Sequence, residues 1–203
     1  MKKYLLVILI GFLSATANAG VISFEGLITD NSESFSALGI SDTYQDYMWS
    51  ASLGGDWGVV NCSTIDCLGI QPLEAVSGTS YGWTINGPQS LFINFGEATD
   101  VVSAYFTGQF VNFSSQTIQL FGYDDQGSIL STSSVLNLAT GQWQQLIANF
   151  TGVHMLEIRS DRDNSWFAID DLVVNTSVVP IPAAVWLFGS AILGLIGYSS
   201  RKA

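Results

Sequence analysis

Two adjacent carboxylates, Asp170 and Asp171, lie in the otherwise apolar segment 167–174. Neighbouring side chains of a β-strand point to opposite faces, so one of the two must lie among apolar side chains. An unpaired charge is costly there. That carboxylate therefore needs a bound metal ion or hydrogen bonds from backbone N–H groups, and the sequence leaves both open.

Aromatic side chains form a second candidate site. Tyr44, Tyr47 and Trp49 are close in the sequence, and Tyr81 and Trp83 form another group. Exposed rings of this kind can stack on sugar faces, so these residues are a candidate polysaccharide-binding platform. The alternative is that they fill the core, since each ring buries a large apolar area.

A third pattern concerns catalysis. Residues 78–82 read Gly-Thr-Ser-Tyr-Gly, and His154 lies downstream. The Gly-x-Ser-x-Gly pattern positions a nucleophile only at a strand-to-helix turn of an α/β fold. Here another strand-like run follows, so we expect no catalytic residue. A glycoside hydrolase that uses a pair of carboxylates is the alternative, although nothing selects one pair.

The elements that carry these residues are strands and turns. Short runs with alternating apolar side chains are separated by Gly, Asp, Asn and Ser, which predicts an all-β fold, an antiparallel β-sandwich. One helical turn is expected at 35–38. The strand-like runs are 21–27, 91–95, 101–106, 117–123, 128–138, 143–150, 153–158 and 166–174.

The N-terminus has the features of a signal peptide. Lys2 and Lys3 precede an apolar stretch at 5–13, and Ala17-Asn18-Ala19 forms a cleavage site. We expect residues 1–19 to be removed on export. The β-sandwich domain is then 20–178, a length that suits a single core.

The C-terminal segment 179–203 has three parts. A proline-spaced motif comes first, an uncharged run at 181–198 follows, and a basic pair ends the chain. As a helix that run is about 27 Å long, enough to span a hydrocarbon core of roughly 30 Å. The motif and the basic pair consist of Val179, Pro180, Pro182, Ala183, Ala184, Arg201 and Lys202.

This segment resembles the PEP-CTERM sorting signal of Gram-negative bacteria, in a Val-Pro-x-Pro-Ala-Ala variant. The resemblance implies export, transient anchoring in the inner membrane by a single C-terminal transmembrane helix, and processing by an exosortase-type protease. The protein would then reach the outer surface or the extracellular matrix. A permanent membrane anchor is the alternative.

Within the domain, the opening Phe24-Glu25 and the closing Phe167-x-Ile169-Asp170-Asp171 resemble the jelly-roll domains that PEP-CTERM proteins often carry. More distantly they resemble MAM and carbohydrate-binding jelly rolls. The resemblance implies a jelly-roll-like sandwich. It also implies a structural Ca²⁺ held by Glu25 and one of Asp170 or Asp171.

The net charge of the predicted domain limits the classes of partner that it can bind. Residues 20–178 contain two arginines, Arg159 and Arg162, and all 17 acidic residues, so the formal charge of this segment is −15. Such a surface repels nucleic acid and anionic lipid, so we expect no nucleic-acid partner. The two cysteines, Cys62 and Cys67, predict one local disulfide in an exported chain.

These features predict an exported, exosortase-processed surface or matrix protein. Its β-sandwich would bind exopolysaccharide or have a structural role, and we expect it not to be an enzyme. A secreted jelly-roll enzyme acting on glycans is the alternative.

Overall fold

The computed structural model describes residues 19–26, 35–38, 41–52, 55–61, 74–85, 87, 89–108, 114–162 and 165–176. The predicted signal peptide up to residue 18, both cysteines and the tail from residue 177 lie outside these ranges. The disulfide, the sorting signal and the transmembrane helix therefore stay predictions. No helix within the described ranges has the length and apolar character needed to cross a bilayer.

The described part of the chain is built of antiparallel strands, which confirms the predicted all-β fold. One expectation is wrong: residues 35–38 form a strand rather than a helical turn, because pairing with residues 57–60 satisfies their backbone. The strands are β1 Ala19–Ile22, β2 Phe35–Leu38, β3 Ser41–Tyr44, β4 Tyr47–Ala51, β5 Asp56–Asn61, β6 Ser80–Ile85, β7 Ser90–Gly108, β8 Thr117–Tyr123, β9 Ile129–Thr132, β10 Leu136–Asn137, β11 Gln144–Ser160 and β12 Phe167–Thr176.

The strands form one curled sheet with the order β10-β8-β11-β7-β12-β6-β5-β2. β7 and β11 are the two long strands, of 19 and 17 residues, and register shifts interrupt their pairing between Ile147 and Met155. Residues 91–94 of β7 pair with β4, whereas residues 99–108 pair with β12. The register shifts and this change of partner divide the sheet into two halves.

We call the part containing β3, β4, β8, β9 and β10 the first half-sheet, and the part containing β1, β2, β5, β6 and β12 the second half-sheet. The two halves face each other across the core. Trp49 on β4 stacks on Trp57 on β5 with ring centroids 4.8 Å apart, and Phe24 meets Trp49 edge-on at 5.6 Å. All three rings are fully buried.

A bulge in β12 changes the expected alternation. Phe167 and Ile169 face the core, and so do Leu172 and Val174. In a regular strand Val173 would share a face with Phe167 and Ile169, but Leu172 and Val174 take that face instead. The physical reason is the positive φ of 45° at Asp171, where the register with β7 also shifts. An extra residue in a strand reverses the parity of every residue after it.

Candidate functional site

The predicted aromatic platform is largely buried. Trp49 and Tyr81 have no exposed surface, Trp83 is 6% exposed and Tyr44 is 7% exposed. Only Tyr47 is half-buried, and its ring packs edge-on against Phe95 at 5.1 Å. Stacking on a sugar needs an open ring face, so the four buried residues do not form a surface platform in this structure.

The predicted carboxylates hold one segment, residues 74–80. Asp170, fully buried, accepts backbone N–H bonds through Oδ2 from Val76 at 2.8 Å and Ser77 at 3.3 Å. Its Oδ1 accepts the N–H of Asp171 at 2.8 Å. Asp171 in turn accepts a 2.6 Å bond from the Ser77 hydroxyl. One carboxylate is therefore buried on a strand face, with backbone N–H groups as its partners.

Glu25 completes this arrangement. Its Oε1 accepts the backbone N–H groups of Thr79 and Ser80, both at 2.8 Å, and its Oε2 accepts the Thr79 hydroxyl at 3.1 Å. A side chain at Gly78 would place Cβ 2.3 Å from Glu25 Oε1, so glycine is required for this close approach. Three carboxylates thus bind the segment that leads into β6.

These contacts bear on the calcium prediction. Within the described ranges, no group of three acidic, histidine or cysteine side chains is arranged to hold a metal ion. The carboxylate oxygens of Glu25, Asp170 and Asp171 point to N–H and O–H donors, which compete with a cation for the same lone pairs. The geometry favours the hydrogen-bonding alternative, and calcium at these residues stays a prediction.

Melting experiments test the calcium prediction directly. If Glu25 and Asp170 or Asp171 share an ion, Ca²⁺ at one hundred times its Kd stabilises the domain by about 2.7 kcal/mol. Asp171→Ala should remove that increment, whereas the distant Asp161→Asn should retain it. Equal melting midpoints in EDTA and in millimolar calcium would contradict the prediction.

The hydrolase-like pattern lies in a strand. Ser80 is the first residue of β6, is 1% exposed and donates its backbone N–H to Glu25. His154 lies on β11 and lines a cleft together with Asn94 and Asp124. Ser80 is therefore not at a strand-to-helix turn, which is where the pattern would position a nucleophile.

A different set of residues forms a polar and aromatic surface. On the first half-sheet, Leu91, Ile93, Leu120, Leu156 and Ile158 point into the core. The residues between them project from the opposite side, because strand side chains alternate. We call this side the outer face. Its cross-strand rows are Met48, Asn94, Met155 and Tyr123, then Ser50, Phe92, Glu157 and Phe121, then Ser90, Arg159 and Gln119.

Glu157 is the unusual member of the outer face. It is 3% exposed, while Phe92 and Phe121 on either side are half-buried. Arg159 binds it with two bonds of 2.7 Å. The hydroxyl of Ser90 donates a 2.6 Å bond, and the hydroxyl of Tyr123 donates a short bond to the other carboxylate oxygen.

This hydrogen-bond network shifts the pKa values of Glu157 and Tyr123. Burial opposes ionisation of Glu157, but the hydrogen bonds from Arg159, Ser90 and Tyr123 outweigh it and hold the pKa of Glu157 below its ordinary value. Burial, together with the bond to Glu157, raises the pKa of Tyr123. The Arg159 guanidinium also lies 4.1 Å from the centre of the Phe121 ring. Glu157 is thus an anion that hydrogen bonds hold in position and whose charge the Arg159 guanidinium balances.

A cleft of about 400 Å³ continues the outer face at one end. Asn94 and Met155 belong to both. The β8–β9 turn lines one part of the cleft, and within that turn Asp124 Oδ1 accepts the N–H groups of Gln126 and Ser128 at 2.9 and 2.7 Å. The cleft is lined by Asn94, Gly96, Asp124, Asp125, Gly127, His154 and Met155.

Sequence reasoning missed the outer face. Two signals were available: Phe121 and Tyr123 alternate with core residues, and Glu157 and Arg159 lie two apart on one strand face. Arg159 is also one of two cations in the domain. What the sequence did not contain is the pairing that places Phe92 beside Glu157.

Comparisons with known proteins address the fold. No protein-family model matches the sequence. No curated protein matches it either. The chain is similar to the crystal structure of a DUF4465 family protein from Bacteroides caccae ATCC 43185, with 12% identity, a TM-score of 0.53, and coverage of 79% of this chain and 100% of that one.

Two further structures are similar. One is the Stig cyclase Fisc from Fischerella sp. TAU, with 11% identity, a TM-score of 0.50, and coverage of 79% of this chain and 98% of that one. The other is the tandem CBM22-1–CBM22-2 domain of Paenibacillus barcinonensis Xyn10C, with 11% identity, a TM-score of 0.48, and coverage of 84% and 50%. At 12% and 11% identity, the similarity to the DUF4465 family protein and to the Stig cyclase shows the fold alone. The fold defines the class as a curled antiparallel, jelly-roll-like β-sandwich.

Proposed function

We propose that the domain is a non-catalytic module that binds polysaccharide through the outer face. The observation that carries the proposal is the buried carboxylate of Glu157. It is held by Arg159, Ser90 and Tyr123 at the centre of a face that is otherwise partly open. A network whose members fix one another is a rigid platform, and rigidity lowers the entropy cost of binding.

The chemistry of the outer face suits a sugar. A pyranose ring has an apolar C–H face and a rim of hydroxyl groups. Phe92 and Tyr123 offer aromatic surface for the C–H face. Asn94 and Gln119 can donate to and accept from hydroxyls, and Arg159 can donate to them. Apolar surface with a few placed polar groups is the usual composition of a ligand site.

Replacing Phe92 with alanine should weaken binding to the host's exopolysaccharide about tenfold, which corresponds to about 1.4 kcal/mol. The ring is half-buried and its neighbour on β4 is the small Ser50, so truncation removes contact surface. Affinity electrophoresis measures the change. We expect wild-type Kd values between micromolar and millimolar, worth about 4 to 8 kcal/mol.

A matched control is Ile147→Ala. Ile147 is 59% exposed and lies outside the first half-sheet, on a part of β11 that pairs with residue 103. It should leave retention unchanged. Equal retention of wild type and Phe92→Ala would contradict the outer-face assignment. Failure of the wild type to bind any glycan would favour a structural role in the matrix, and release of reducing ends would favour an enzyme.

We further propose that the protein is exported, anchored transiently in the inner membrane and processed by an exosortase-type protease. The support is in the sequence: residues 1–19 have the features of a signal peptide, and residues 179–203 form the three-part tail. The acidic domain would then be released to the cell surface or the extracellular polysaccharide. The protease is a transient partner, and the exopolysaccharide is the lasting one.

In a host that contains an exosortase, the mature protein should lack the segment that follows about Val179. The uncharged run at 181–198 would remain with the membrane fraction. Intact-mass spectrometry of the extracellular protein measures the C-terminus. Replacing Pro180 and Pro182 with alanine should leave the protein unprocessed, and an extracellular form that retains the 181–198 run would contradict the proposal.

A further inference from the structure

We infer that the cleft beside the outer face selects amine-bearing polysaccharides, in which hexosamine residues carry free amino groups. The inference rests on the proposed function and specifies its ligand class. The cleft and the outer face share Asn94 and Met155, so a chain lying along the face would enter the cleft with one of its sugar units.

The carboxylates of the cleft give it a negative charge. Two of the seven residues that line it, Asp124 and Asp125, are acidic. Among the described residues, none that lines the cleft is a lysine or an arginine. The nearest cation on the outer face, Arg159, is paired with Glu157. A uronate or sulfate group would meet like charge there, whereas an ammonium group would meet two carboxylates.

The cleft also has the size and hydrogen-bonding groups that a sugar needs. Its volume of about 400 Å³ lies within the range of small-molecule sites, roughly 300–1,000 Å³. Asn94 and His154 provide donors and acceptors for hydroxyl groups, and Met155 provides apolar surface. The turn that carries Asp124 is fixed by its own bonds to Gln126 and Ser128, so the carboxylate is held in place before a ligand arrives.

The test compares two probes, a glucosamine hexamer and an N-acetylglucosamine hexamer, by isothermal titration with the mature domain at low ionic strength. We expect the free-amine hexamer to bind about tenfold more tightly, and the difference to fall at high salt because exposed charges are screened. The double variant Asp124→Asn/Asp125→Asn should abolish the preference. Asparagine keeps the Oδ1 acceptor that the turn requires, so the fold is retained.

The control is Asp161→Asn/Glu74→Gln, which removes the same two charges elsewhere. Asp161 accepts two backbone N–H groups, from Gln116 and Thr117, so it lies beside the start of β8. The cleft is at the other end of β8, about 20 Å away at roughly 3.3 Å per residue. Equal loss of preference in both double variants would attribute it to overall charge and overturn the inference.

Equal affinity for the two hexamers would also overturn it, and so would failure of both to bind. The proposed function is tested separately by the Phe92→Ala experiment on the host polysaccharide. Its failure can therefore be distinguished from a failure of amine selection.

Discussion

Replacing Arg159 with methionine should lower the free energy of unfolding by about 2 to 4 kcal/mol. Glu157 would remain buried with an uncompensated charge, because Ser90 and Tyr123 donate hydrogen bonds but carry no positive charge. The expected cost is below that of a fully buried pair, since the Arg159 side chain is 41% exposed and water can partly replace it. Urea unfolding monitored by tryptophan fluorescence measures the difference.

A second substitution separates charge from packing. Adding Glu157→Gln to Arg159→Met should recover at least half of the lost stability, because the neutral amide leaves no buried charge. Its oxygen accepts from one of the Ser90 and Tyr123 hydroxyls, and its N–H₂ group can donate to the other. Arg162→Met is the matched control, since it changes the net charge equally. Arg162 donates one bond to the Ser114 carbonyl from an exposed position, so its loss should cost less than about 1 kcal/mol.

A double variant that is no more stable than Arg159→Met would show that the guanidinium acts mainly by packing on Phe121. Arg159→Met should also weaken polysaccharide binding, because Glu157, which accepts the Tyr123 hydroxyl, loses the two bonds that hold it in place. The proposed platform therefore predicts that stability and affinity fall together at this position.

The fold could be predicted from the sequence because alternation is a local property. In β8 the buried residues Ile118 and Leu120 alternate with Gln119 and Phe121 without interruption. Such a run fixes both the strand and its core face. The alternation is interrupted at Asp171, where a positive φ accompanies a bulge that the residue types do not predict.

The site could not be predicted because it depends on pairing between distant strands. Glu157 lies between Phe92 and Phe121 only because β11 pairs with β7 on one side and β8 on the other. Conversely, Trp49 and Trp83 looked like surface rings because exposure cannot be read from residue type. The curled sheet buries Trp49 against Trp57, and Trp83 packs with Trp166.

The pH dependence of stability should be dominated by Asp170 between about pH 4 and pH 7. Burial raises the pKa of this carboxyl to about 7 from an ordinary value of 3.8, and the backbone N–H bonds from Asp171, Val76 and Ser77 offset burial only in part. The folded state therefore binds a proton that the unfolded state has released. Stability is fully present below about pH 4 and is lost as the pH rises through 7.

The expected loss across this window is about 4 kcal/mol, at about 1.4 kcal/mol for each pH unit between the two pKa values. Denaturant midpoints measured in EDTA should fall from pH 5 to pH 8, since EDTA prevents a cation from holding the carboxylate ionised. The lowered pKa of Glu157 acts in the opposite sense, but only at pH values below the ordinary carboxyl range.

Asp170→Asn isolates the contribution of Asp170. The amide does not titrate, so the variant should show a flat profile from pH 5 to pH 7, while Asp161→Asn should follow the wild type. The amide also places an N–H₂ group where Oδ1 or Oδ2 accepted a backbone bond, so a constant loss of about 1 to 3 kcal/mol is expected at every pH. Parallel profiles for Asp170→Asn and wild type would show that the three backbone N–H groups keep Asp170 ionised. In that case residues 74–80 would be held by a permanent charge rather than by a proton-dependent one.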